Sequence, residues 1–151
     1  MRKGGPRMTG EIAQTVKIKL LSTIQPIDGQ AESYEMWLNG SFVMRAGTPY
    51  LRYEEVQEDQ TIQTTIKLTS ERALIMRSGA VKMRLPLNRE KQQAGHYHNV
   101  FGMIPIETKT HQLQFNQQAE KGQFIAQYDL LINGASVGNY KLEIDYQEVK
   151  A

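Results

Sequence analysis

The side chains in this sequence best able to do chemistry form three groups, and each group asks for a different kind of site. Arg77, Lys82 and Arg84 lie close together in the chain. On one face of a hairpin three such cations could hold a phosphate or a carboxylate, arginine doing so through paired hydrogen bonds. On an outer strand face they would simply meet water. Glu54 and Glu55 follow Tyr50-Leu51-Arg52-Tyr53. Successive strand residues point to opposite faces, so these two carboxylates cannot act as an acid–base pair. Leu51, Tyr53 and Glu55 share one face instead. If Leu51 points inward, Glu55 sits in a barrel mouth beside the Tyr53 hydroxyl, where a buried carboxylate needs a partner and an arginine is the natural one. The plainer alternative leaves Glu55 at the wet end of its strand. His96 and His98 flank Tyr97 at strand spacing, so both imidazoles face one way. Two ligands are too few for a zinc site, and nothing in the sequence brings His111 to them.

No constellation here reads as catalytic. The chain has no cysteine, which removes disulfides, thiolate metal sites and a thiol nucleophile. It lacks a phosphate-binding glycine loop, a Gly-x-Ser-x-Gly elbow and a His-Glu-x-x-His pair. Nothing calls for a cofactor or a metal.

The elements that must carry these residues are strands. Val16, Ile18 and Leu20 alternate with Lys17 and Lys19; Ile62, Ile66 and Leu68 with Gln63, Thr65 and Lys67. Val81, Met83, Leu85 and Leu87 alternate with Lys82, Arg84 and Pro86. The same period recurs over Phe124–Leu130 and Leu142–Tyr146. One face wants a core and the other wants water, as antiparallel strands do. Turn signals at Asp28-Gly29, Asn39-Gly40, Ala46-Gly47, Ser78-Gly79, Ala94-Gly95, Lys121-Gly122 and Asn133-Gly134 punctuate the runs, and many short strands with regular turns make a sandwich or a barrel. No stretch reads as a helix.

Two hairpins can be given a register. A two-residue turn at Ser78-Gly79 pairs Arg77 with Ala80, Met76 with Val81 and Leu74 with Met83. It gathers Leu74, Met76, Val81, Met83, Leu85 and Leu87 on the core face. Arg77, Lys82 and Arg84 then share the other face with Ala73 and Ile75. At Asn133-Gly134, a three-residue loop or a bulge near Gly138 sets Phe124 against Ile144, Ala126 against Leu142 and Tyr128 against Tyr140, which keeps one face apolar. Near Ser70-Glu71 the choice stays open: an even loop sends Ile66 toward Ile75, an odd one toward Leu74. Trp37 and Phe42 face each other across a turn at Asn39-Gly40, as core or a plug at the barrel end rather than as a ligand-stacking platform.

The chain of 151 residues suits one domain with a proper core. Residues 11–150 read as that domain and residues 1–10, basic and Gly/Pro-containing, as a disordered tail without the apolar stretch of a signal peptide. No apolar run is long enough to cross a bilayer. The net charge of +2 is too mild to imply nucleic acid or an anionic membrane surface as a partner.

From Pro49 onward the segments PYLRYEE (49–55), TTIKLTSERALIMRSGAVKMRLPL (64–87), AGHYHNVFGMIPIETKT (94–110) and NGASVGNYKLEIDYQE (133–148) resemble, in matching order, the YwiB-like bacterial proteins, a family of unknown function; TVKIKL resembles that family's opening strand. The resemblance implies an all-β, antiparallel up-and-down barrel, calycin- or lipocalin-like, in the bacterial cytoplasm. It implies no activity and no catalytic residue, because a fold does not fix function.

These readings converge on a protein that binds rather than catalyses, with an enzyme a distant third. The first expectation is a small apolar or anionic ligand in the lumen, held on the side of Tyr53 and Glu55. The second is an interaction or regulatory module that meets a protein partner through Arg77, Lys82 and Arg84 on its outer face. An eight-stranded barrel suits either, being just wide enough for side chains or one small ligand. Oligomeric state stays open.

Overall fold

A computed structural model describes residues 11–150; the tail expected over residues 1–10 lies outside them. Ten strands follow one another: β1 (Glu11–Pro26), β2 (Glu32–Arg45), β3 (Thr48–Gln57), β4 (Gln60–Lys67), β5 (Arg72–Gly79), β6 (Lys82–Asn88), β7 (Gln93–Asn99), β8 (Gly102–Gln118), β9 (Lys121–Ile132) and β10 (Ala135–Glu148). Each pairs antiparallel with its sequence neighbours, and β1 pairs with β10 to close the barrel. The expected all-β, up-and-down barrel is therefore what the chain forms, with ten strands in place of eight. The larger number matters, because barrel diameter grows with strand count.

The period-two runs place the core as expected. Val16, Ile18, Leu20, Leu51, Ile66, Leu85, Leu87, Phe124 and Ile144 point inward and are essentially inaccessible, while Lys17, Lys19, Glu54, Lys82, Arg84 and Asp145 point outward. Apolar inside and charged outside is the reverse of a lipid-facing barrel. Among the described residues, no helix is long and apolar enough to cross a membrane.

The β9–β10 register matches the sequence reading. Phe124 opposes Ile144, Ala126 opposes Leu142 and Tyr128 opposes Tyr140, with the irregularity between Ser136 and Gly138. The open choice at Ser70-Glu71 resolves to the even loop, with Ile66 opposite Ile75.

The β5–β6 register is different. Arg77 opposes Met83, Met76 opposes Arg84 and Ile75 opposes Leu85. Ser78-Gly79 is not the turn. Gly79, at φ +102°, still pairs with Ile62 of β4, and the Ala80 amide donates to the Thr61 carbonyl at 3.1 Å. A Cβ on Gly79 would collide with that same carbonyl. The chain thus follows β4 beyond Arg77 before it reverses, and the shift is odd, which turns every β5 side chain over. Ala73, Ile75 and Arg77 face inward, and Leu74 and Met76 face outward. The β6 assignment is unaffected: Met83, Leu85 and Leu87 face inward, Lys82 and Arg84 outward.

A second turn signal also served another purpose. Asn39-Gly40 lies within β2, and a side chain on Gly40 would run into the Arg52 carbonyl and Ile18, so glycine is there for close strand approach. Trp37 and Phe42 consequently lie on opposite faces. Phe42 stacks on Tyr146 in the core at 5.3 Å, while Trp37 is 70% exposed.

Candidate functional site

The inward side chains do not fill the barrel evenly. One end is packed by Val16, Phe42, Phe124, Ile144 and Tyr146. Toward the other end lies a cavity of about 460 Å³. Its lining comes from the strand halves that lead into the β1–β2, β3–β4, β5–β6, β7–β8 and β9–β10 hairpins, so those five turns frame its mouth. Its apolar wall includes Leu20, Met36, Ile75, Leu85, Ile106 and Leu130. The volume falls within the range of small-molecule sites.

The charged residues lining the cavity are Glu55, Arg77 and Lys141, and Glu55 and Arg77 form an ion pair. Tyr53 and Glu55 share a strand face with buried Leu51, so β3 carries both into the lumen. The β5 register brings Arg77 in from the other side of β4. An Arg77 terminal nitrogen lies 3.1 Å from Glu55 Oε1, and Arg77 Nε donates to Thr64 Oγ1 at 3.4 Å. Gln57 Nε2 donates to the second Glu55 oxygen at 3.4 Å. Glu55 is 7% exposed and the Arg77 side chain 29%, so the pair reaches water from the arginine side. The β2–β3 ladder ends toward the mouth at Gly40–Tyr53, and beyond it the two strands are unpaired beside Glu55.

Phenols make up most of the remaining polarity. Tyr34, Tyr53, Tyr97, Tyr128 and Tyr140 all line the cavity. Burial pushes the Tyr53 phenol well above its ordinary range, and the adjacent Glu55 charge adds to this. Tyr128 is raised in the same direction by burial and then by Tyr140, on which it stacks with ring centroids 5.6 Å apart. The Tyr53 and Tyr128 hydroxyls therefore stay protonated at neutral pH and can donate a hydrogen bond to a guest.

The structure thus divides the five candidate binding residues. Tyr53, Glu55 and Arg77 come together in the lumen; Lys82 and Arg84 stay outside. The expectation that Arg77 lies on the outer face is corrected, for the register reason given above. Outside, Lys82 pairs in register with His98, and Arg84 with His96. The two imidazoles meet edge to face at 5.3 Å. His111 bonds Asp129 at 2.8 Å on another part of the surface. No group of three or more His, Cys, Asp or Glu residues that could hold a metal occurs among the described residues.

Sequence reasoning missed Thr64, Tyr34 and Tyr97 as lumen residues. For Tyr128 and Tyr140 the signal was present, since the β9–β10 register already put them together on the apolar face.

Comparison with known proteins agrees with this architecture. Residues 18–144 match a family model described as a domain of unknown function, DUF1934. The uncharacterised β-barrel protein YwiB of Bacillus subtilis is 28% identical over 120 residues, spanning 80% of this chain and 84% of that protein. The crystal structure of the ywiB protein from Bacillus subtilis superposes with a TM-score of 0.84 at 24% identity, covering 97% of this chain and all of that one. At that identity the likeness speaks for the fold.

Proposed function

This chain belongs to the DUF1934 family, and from that premise we propose that it is a non-catalytic binding protein whose lumen takes one small, mostly apolar molecule with a neutral polar head. The observation that carries this reading is the cavity of about 460 Å³, apolar over most of its wall, with Glu55 and Arg77 set together at its side. Buried apolar area supplies the affinity and a few placed polar groups fix orientation.

The pair also bears on the choice between an apolar and an anionic guest. An anion reaching Arg77 would meet the Glu55 carboxylate as well, and desolvated like charges repel. A neutral head that donates to Glu55 and accepts from Arg77 satisfies both. An apolar guest is favoured for this reason. The alternative, an interaction module with a basic outer face, keeps Lys82 and Arg84 but loses Arg77 to the lumen. A cytoplasmic location belongs to the same proposal; the charged outer face of the barrel supports a protein surrounded by water.

The test is equilibrium binding of N-phenylnaphthylamine, a neutral apolar fluorophore with one N–H donor. The native chain should enhance its emission saturably. Leu130→Trp, which fills the lumen, should abolish the enhancement while the far-UV circular dichroism stays that of a β-protein. Equal binding by the two proteins would refute a lumen site.

A further inference from the structure

On the outside of the barrel, at the end away from the mouth, the sheet β2–β1–β10–β9–β8 holds a second and larger depression, a trough of about 970 Å³. The strand registers fix what lines it. One outward row runs Trp37, Lys19, Asp145, Gln123, Asn116 across the five strands; the next runs Asn39, Lys17, Gln147, Lys121, Gln118. At strand spacing of about 4.8 Å each row is roughly 19 Å long.

Two features set this surface apart from an ordinary solvated strand face. The first is Trp37, the chain's single tryptophan, standing 70% exposed where a sheet exterior would ordinarily carry a polar side chain. The Lys19 ammonium lies 5.9 Å from its ring centre. The second is composition. Asn39, Asn116, Gln117, Gln118, Gln123 and Gln147 bring six carboxamides to one trough, each offering donors and an acceptor.

The charges choose the class of guest. Lys19 is drawn to Glu35 at 3.6 Å, and Asp145, which accepts from Gln123 Nε2 at 3.2 Å, sets a negative charge among the lysines. A phosphate-bearing strand needs an uncompensated basic groove and several stacking rings, and this trough has neither. Hydroxyl groups, which donate and accept at once, match carboxamides. We propose that the trough is a binding site for a short neutral oligosaccharide, with the Trp37 indole stacking against a sugar face and the amide rows bonding its hydroxyls. The site is independent of the lumen and of any guest there.

Trp37 reports on its own occupancy, since no other indole contributes to the emission. Maltohexaose, cellohexaose and chitohexaose should be titrated separately, with oligothymidylate as a polyanion. At least one oligosaccharide should shift the emission saturably below about 10 mM, the weak end of measurable affinity. By calorimetry, Trp37→Ala should weaken that binding at least about tenfold, equivalent to ~1.4 kcal/mol, and Gln123→Ala with Asn116→Ala severalfold, while the thermal midpoint stays unchanged. The lumen variant Leu130→Trp should bind the sugar normally when read by calorimetry. The proposal is overturned if none of the three sugars shifts the emission, if the sugar-induced heat survives Trp37→Ala, or if oligothymidylate alone binds and does so less tightly as salt is raised.

Discussion

Arg77 is where residue chemistry and register meet. Glu55 is buried and its charged partner is Arg77, so removing the guanidinium leaves a carboxylate with only Gln57 and little water. Breaking a buried pair in this way costs about 3–5 kcal/mol, and because Arg77 is partly exposed the low end of that range applies. Arg77→Met should therefore lower the urea midpoint clearly, whereas Arg84→Ala, outside, should stay within about 0.5 kcal/mol. Equal effects would put both cations on the surface. Glu55→Gln is the subtler change. It keeps the shape and a donor–acceptor group but frees Arg77 from its counter-charge. Binding of an anionic anilinonaphthalene sulfonate should strengthen in this variant relative to neutral N-phenylnaphthylamine; an unchanged ratio in paired titrations would show that Glu55 does not select against anions. The sequence placed Tyr53 and Glu55 on one face and named an arginine as the natural partner for a buried Glu55. It could not say which arginine, because that depends on the register of a strand two away.

At the scale of elements, what was legible depended on whether local pattern alone determined pairing. In β9–β10 only one register keeps Phe124, Ala126 and Tyr128 opposite Ile144, Leu142 and Tyr140, so alternation sufficed. In β5 both faces are apolar: Ala73 and Ile75 on one, Leu74 and Met76 on the other. Alternation cannot tell such faces apart, and the glycine signal at Gly79 answered to β4 rather than to the turn. Gly40 misled in the same way, its close approach to Arg52 looking in sequence like a bend. The structure predicts that Ile75→Asp, 5% exposed, costs several kcal/mol as an unpaired buried charge. Met76→Asp, 38% exposed and facing out, should cost less than about 1 kcal/mol. Chemical denaturation of the two variants decides it; the reverse order would restore the two-residue turn.

As a whole the molecule is a ten-stranded barrel packed solid at one end and open at the other, and its buried phenols tie its stability to alkaline pH. Tyr53 and Tyr128 are raised well above their ordinary range by burial, and burial pushes Tyr146 up to about 12. In the unfolded chain these groups ionise near pH 10. Above that point the unfolded state holds fewer protons than the folded one, so stability is complete below about pH 10 and falls as pH rises toward the folded values. Thermal midpoints should accordingly be flat from neutral pH to about 9 and drop steeply beyond 10, and Tyr146→Phe should soften the drop. A midpoint unchanged into strong alkali would mean that these hydroxyls reach water. The claim on which the functional account rests is that the lumen holds a guest, and native mass spectrometry of the protein purified gently from its source organism tests it most directly. A population heavier than the bare chain by one small-molecule mass, lost in Leu130→Trp, is the predicted result. The bare mass alone, or the same adduct on both proteins, would contradict it.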